Sequence, residues 1–249
     1  MGDDQGFDIR TVGQLPARSG LGTSSAFTVG LLNAMHGLNG NSISQLDLAK
    51  EAIHVEQNLI KEAVGCQDQV LTACGGLNRV EFRADESIEI KPISLSQQHK
   101  EDFESHLMLV FTGIARNASE VAQVQIEKTR DRTAELNQIM AAVDEGEKLL
   151  MASDWNAFGK LLHEAWQIKR SLTSKISNPT IDGIYETALG SGAIGGKLIG
   201  AGGGGFMLLF IDPDKRSQVK ESLNTLLQVD VKLNSSGTEI VHDSGMHSN

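Results

Sequence analysis

The feature that most limits how this 249-residue chain can fold lies between Pro16 and Phe27. Gly20 and Gly22 bracket Leu21, the hydroxyl residues Thr23, Ser24 and Ser25 follow, and an apolar run begins at Ala26. Glycine lets a backbone come close to a ligand. Hydroxyl side chains at a helix start satisfy N–H groups that lack helical partners. The free N–H groups and the dipole of such an end attract phosphate. The order of residues predicts a loop and a helix entrance that hold a nucleotide's phosphates.

Charge narrows the partners. A formal net charge of −10 argues against nucleic acid or an anionic membrane surface, both of which need basic patches. An acidic chain still binds phosphate if backbone amides and a metal supply positive potential locally. The hydrophobic content of 40% suffices for one large domain or two modest ones. Cys66 and Cys74 are the only cysteines and read as small buried hydrophobes, which fits a reducing, cytoplasmic setting. No secretory signal opens the chain, and no apolar run is long enough to span a bilayer.

Periodicity places the elements. Alternation over residues 7–12 predicts a strand, and the run over 24–38, apolar on nearly all sides, predicts a buried helix. Ser44 with Asp47 opens a helix reaching about Glu62, ended by Gly65. Residues 64–69 read as a loop or a second helix start. Strands are expected over 77–82, 87–93 and 107–111, with the polar segment 94–104 marking a boundary between lobes. Long helical patterns cover 117–151 and 155–174, and a short one covers 181–189. Residues 195–205 form a glycine-rich connection before a strand at 206–211. A helix at 214–227, a strand at 229–233 and a disordered tail beyond His242 complete the expectation.

The second glycine run contains a formal G-x-G-x-x-G match from Gly200 to Gly205. A dinucleotide fingerprint must follow a strand and open a helix, whereas here a strand comes after it. The P-loop spacing fails as well, because Lys197 is followed by Leu198. Four successive glycines are costly in backbone entropy, which favours close approach to a ligand or to the first loop over a loose connection.

Taken together, the early loop (Pro16, Gly20, Leu21, Gly22, Thr23, Ser24, Ser25) and the late one (Lys197 to Gly205) resemble the second and third signature motifs of the GHMP kinases. Segments 15–20, 65–69 and 111–116 resemble the branch of that family acting on D-glycero-D-manno-heptose 7-phosphate. The likeness runs over essentially the whole chain. It implies an α+β, two-lobed fold: an N-terminal lobe of ribosomal-protein-S5-like type over 1–98, and a ferredoxin-like α/β lobe over 99–249. The family's first motif has no counterpart here, so the chain is expected to begin partway through the N-terminal lobe.

The resemblance also implies roles. Asp68 matches the catalytic aspartate; without the family pattern it reads as a loop or cap aspartate. Pro16, Arg18, Ser19, Gly20, Leu21, Gly22, Thr23, Ser24 and Ser25 match the ATP-binding loop. Gly200, Gly202, Gly203 and Gly204 match the supporting glycine loop. Ser24 and Glu56 match the Mg²⁺ ligands, although a lone helical Glu is usually solvated. Arg116 is the candidate clamp for a sugar phosphate, with pairing to Glu120 as the plainer alternative. Lys197 is read as a phosphate contact or a solvated side chain, and Trp166 as core. His36 and His54 read as structural, and His163 with Glu164 lacks the second histidine of a zinc motif. The expected activity is transfer of phosphate from ATP, with Mg²⁺, to a sugar or sugar phosphate. A kinase for galactose-, fucose- or mannose-type sugars, an inactive nucleotide-binding fragment and a scaffold with tight glycine turns stay open, as does a homo-oligomer.

Overall fold

The computed structural model describes residues 6–13, 19–115, 118–233 and 236–241. Helix α1 (Thr23–Leu38) packs with α2 (Gln45–His54) and α3 (Gln67–Cys74) around Val29, Leu48, Ala52 and Val70. Ser44 caps α2 as its spacing predicts, its side chain accepting from the Asp47 N–H at 3.1 Å. Beside the three helices lies an antiparallel hairpin of β1 (Asn78–Phe82) and β2 (Ile88–Pro92), which adds Val80, Ile88 and Ile90 to the same apolar cluster.

The second layer is a four-stranded antiparallel sheet. Its strands are β3 (Leu107–Phe111), β4 (Ala193–Leu198), β5 (Phe206–Ile211) and β6 (Gln228–Asp230), in the order β4-β5-β3-β6. Helix α4 (Gln97–His106) precedes β3. Between β3 and β4 run α5 (Ala118–Lys128), α6 (Thr133–Ala152), α7 (Trp155–Ser171) and α8 (Pro179–Gly190). Between β5 and β6 lies α9 (Arg216–Ser222). The main core sets Met108, Val110, Leu198 and Leu209 against Trp166, Ile181 and Tyr185. Trp166 is thus core, as expected. A third cluster joins the hairpin side (Leu77, Ile93, Leu95) to the sheet side (Phe103, Leu107, Phe210).

Several sequence expectations need correction. Residues 7–12 form no strand; Phe7, Ile9 and Val12 are exposed. Alternation can define two faces, but a strand needs a neighbour to complete its ladder, and none pairs with this segment among the described residues. The α1 helix forms but is not buried all round: Phe27, Met35 and Leu38 are each about half exposed, since α2 and α3 cover one side only. The polar segment 94–104, expected without a helix, carries most of α4, capped by Ser96. The 117–151 pattern is interrupted by a 3₁₀ turn at Thr129–Arg132. The 214–227 helix is shorter, a 3₁₀ turn at Pro213–Lys215 followed by α9. Gly195, Gly196, Lys197 and Leu198 belong to β4, not to a loop. Glycine is required there because a Cβ on Gly195 would run into the Gly159 carbonyl of α7. Cys66 and Cys74 are free, as expected, but half-buried. The tail beyond His242 lies outside the described residues.

Candidate active site

The entrance of α1 is built differently from the usual hydroxyl cap. Gly22 is the N-cap residue, held at φ 68°, and among the described residues no side chain bonds to the first-turn N–H groups. The expected capping by Thr23, Ser24 or Ser25 is not formed. Those N–H groups therefore keep their hydrogen-bonding capacity and partial positive charge for a ligand.

Behind them, Ser25 donates to Oε2 of Glu56 at 2.9 Å, and Gln69 Nε2 donates to the same oxygen. Glu56 is only 1% exposed, and its Oε1 is buried without a partner among the described residues. It sits in a π-helical turn, Val55–Leu59, continuing α2; the Ile60 N–H reaches back five residues to the Val55 carbonyl at 2.9 Å. Such widened turns recur at functional sites. The hydroxyl that meets Glu56 is Ser25's, whereas Ser24 is exposed on the cavity side. Gln69, invisible as a site residue in the sequence, completes the trio. Its sequence signal is that it adjoins Asp68 and closes the 65–69 segment.

Asp68 lies in the first turn of α3. Burial, and secondly the negative charge of Glu56, push its carboxyl above the ordinary range. Its carboxylate packs against the α1 entrance: a Cβ on Gly22 would stand 3.0 Å from Asp68 Cγ and Oδ2. His36 and His54 take no part; His36 Nε2 and Glu51 lie 2.7 Å apart, and His54 is exposed.

The late glycine loop is a backbone weld to the early one. The Phe206 N–H donates to the Ser19 carbonyl at 3.0 Å. The Gly205 N–H donates to Ile114 O at 2.8 Å, and Gly203 N–H to Ile176 O at 2.7 Å. Thr112 donates to Gly205 O through both its N–H (2.9 Å) and Oγ1 (2.8 Å). A Cβ at Gly202, Gly204 or Gly205 would collide with Ile176, Ile114 or Ser19 respectively. The close approach inferred from four glycines is thus to protein, the first loop included. Lys169 fastens the near end of this loop through Nζ to Gly200 O at 2.6 Å.

These parts converge on one cavity of about 1010 Å³ between the helical layer and the sheet. Gly20, Gly22, Thr23, Ser24, Ser25, Asp68 and Gly200 line it. Ser19 is fully buried behind the loop, Leu21 is half-buried, and Glu56 lies behind Ser25. Gly202, Gly203 and Gly204 support the loop without lining the cavity. Pro16, Arg18 and Arg116 lie outside the described residues. Lys128, Arg132, Lys169 and Lys197 also line the cavity, against only two carboxylates, Asp68 and Glu62. In a chain of net charge −10, this is a local positive excess, of which the sequence singles out Lys197 alone as a phosphate contact. Among the described residues no three metal-ligating side chains cluster, and no helix is long and apolar enough to cross a membrane.

Two glycine-rich loops joined by backbone, an unsealed helix entrance and a desolvated aspartate over one cavity define a phosphate-handling class of protein. Residues 1–76 match the family model for the GHMP kinases N terminal domain, and residues 147–228 that for the GHMP kinases C terminal domain. The chain belongs to the GHMP kinase family. Among its relatives, the D-glycero-alpha-D-manno-heptose 7-phosphate kinase of Campylobacter jejuni is 29% identical over 220 residues, covering 87% of this chain and 65% of that protein. The bifunctional fucokinase/GDP-fucose pyrophosphorylase of Arabidopsis thaliana is 28% identical over 93% of this chain and 22% of that one. In fold, the chain matches a D-glycero-D-manno-heptose 1-phosphate kinase from Bacteroides thetaiotaomicron with a TM-score of 0.71. That match is 24% identical and covers 90% of this chain and 63% of the other. The chain therefore spans under two thirds of the length of these relatives.

Proposed function

We propose that this chain carries the ATP- and Mg²⁺-binding machinery of a cytoplasmic sugar kinase. Its acceptor is D-glycero-D-manno-heptose 7-phosphate, phosphorylated at the anomeric hydroxyl. The observation that carries this reading is the placement of Asp68 against the unsealed α1 entrance, over one cavity. Phosphoryl transfer needs positioning and charge neutralisation more than covalent help. The α1 N–H groups and the loop from Ser19 to Ser25 position the triphosphate. Asp68, its carboxyl raised towards the working pH, accepts the proton of the attacking hydroxyl. Arg116 takes the acceptor's phosphate, and Arg18 attends the loop.

The residues present fit a magnesium ion. Glu56 has a buried oxygen without a partner among the described residues, and its other oxygen is held by the loop hydroxyl of Ser25; Mg²⁺ favours few protein oxygens completed by phosphate and water. Glu56 with Ser24 would hold it, and Ser25 orients Glu56. When bound, the ion neutralises charge on the transferred phosphates. In lobe terms, residues 1–98 carry the nucleotide site and 99–249 the supporting glycine loop.

Calorimetric titration with AMP-PNP, with and without Mg²⁺, tests binding. A coupled assay against heptose 7-phosphate, galactose, fucose and mannose tests the acceptor. Mg²⁺-dependent nucleotide binding and turnover of the heptose phosphate are expected. Folded protein that binds no nucleotide overturns the kinase reading, and turnover of another sugar alone overturns the acceptor.

A further inference from the structure

The four cations lining the cavity are not equivalent. Lys169 is occupied by the Gly200 carbonyl, and Arg132 is paired with Glu135 at 2.8 Å. Lys128 ends α5 on the exposed rim. Lys197 stands apart. It projects from β4, opposite Leu208 in the sheet register, and both side chains line the cavity. Ile199, Leu172, Leu136 and Ala201 supply further apolar wall. Among the described residues its ammonium makes no ion pair and no hydrogen bond. Burial holds its pKa below the ordinary lysine value. A desolvated cation without a partner lowers stability, so its retention at this spot calls for an anion supplied from outside the chain.

We infer that Lys197 is a ligand-binding residue whose ammonium receives a phosphate group inside the cavity. The inference rests on the phosphate-binding reading of that cavity and deepens it. A phosphate oxyanion can come from the nucleotide's tail or from an acceptor that already carries phosphate, and the chemistry at Lys197 is the same for both. The fixed backbone around it suits the role. Lys197 leaves a sheet strand, one residue from Leu198 and three from Gly200, both held by Lys169. The ammonium is therefore carried on a rigid element, not on a surface loop.

The test compares wild type, K197M and K197R by thermal unfolding without ligand. Calorimetric titration then uses Mg²⁺·AMP-PNP and, separately, D-glycero-D-manno-heptose 7-phosphate. K197M is expected to melt no lower than wild type, since it removes an unpaired desolvated charge at similar volume. It should bind at least one ligand ~10-fold or more weakly, the scale of a lost charge-assisted hydrogen bond. K197R should recover most of that loss. A loss confined to AMP-PNP puts the ammonium on the nucleotide tail; a loss confined to the sugar phosphate puts it on the acceptor. Wild-type-like affinity of K197M for both ligands overturns the inference. So does a K197M protein that melts below wild type or does not fold, because the lysine is then structural. If wild type itself binds neither ligand, the kinase reading falls and takes this inference with it.

Discussion

The carboxylate of Asp68 rests on the bare Cα of Gly22, so closely that a single added carbon would stand 3.0 Å from its Cγ and Oδ2. One residue is the N-cap of α1 and the other lies in the first turn of α3. The proposed base and phosphate-binding helix end are therefore one packed unit, and a change in either is felt by the other.

Asp68→Asn separates chemistry from stability. Turnover is expected to fall by about 10² to 10⁴, the usual contribution of a positioned base, with AMP-PNP binding largely kept. Because the folded-state carboxyl is raised, stability declines as pH climbs from the ordinary value of 3.8 through the folded value. The Asn variant lacks that decline. It should melt above wild type at pH 7, and the gap should close below about pH 3.8. A gap independent of pH counts against a raised carboxyl.

Gly22→Ala should damage both members of the pair. At φ 68° an alanine is strained by about 1–2 kcal/mol, and its Cβ pushes on the carboxylate. Lower stability in urea and weaker AMP-PNP binding are expected together. An unchanged nucleotide affinity would separate the α1 entrance from the binding site.

Gly205→Ala tests the weld between the loops. Its φ is 96°, and a Cβ would strike the Ser19 carbonyl that accepts from Phe206. A destabilisation of more than about 3 kcal/mol is expected in chemical denaturation. A near-neutral effect contradicts this packing.

Ser25→Ala leaves Glu56 with Gln69 as its remaining side-chain donor. A loss of about 1–3 kcal/mol is expected for a buried acceptor deprived of a donor. The Mg²⁺ concentration needed for half-maximal AMP-PNP binding should rise. The parallel Ser24→Ala change should move the Mg²⁺ requirement with little effect on stability, since Ser24 is exposed.

Local chemistry was legible in the sequence; tertiary company was not. The Ser44 cap, the α1 start and strands β3 and β5 follow from patterns a few residues long. The burial of α1 and a strand at 7–12 depend on what lies alongside, and periodicity says nothing of that. Strand β4 hid among glycines because Gly195 serves helix packing rather than a turn. Asp68 and the glycine loops stood out through their motifs. Gln69, Lys169 and the cationic lining beyond Lys197 did not, because α5, α7 and β4 meet at the cavity from distant stretches of chain. Glu56, picked out as a metal ligand by the family resemblance and not by its helical setting, which alone suggests a solvated side chain, is buried because the π-turn and Ser25 draw it inward.

That widened turn has a consequence for how the site tolerates change. A π-turn holds an extra residue relative to regular helix. Deleting one residue from Gln57 to Leu59 would let α2 run on smoothly with the later side chains still in register, yet would remove the widened turn that carries Glu56 inward. The acidic side chain reaches Ser25 by virtue of chain length as much as of identity. Here a shortened sequence with every functional group intact would be a blind one.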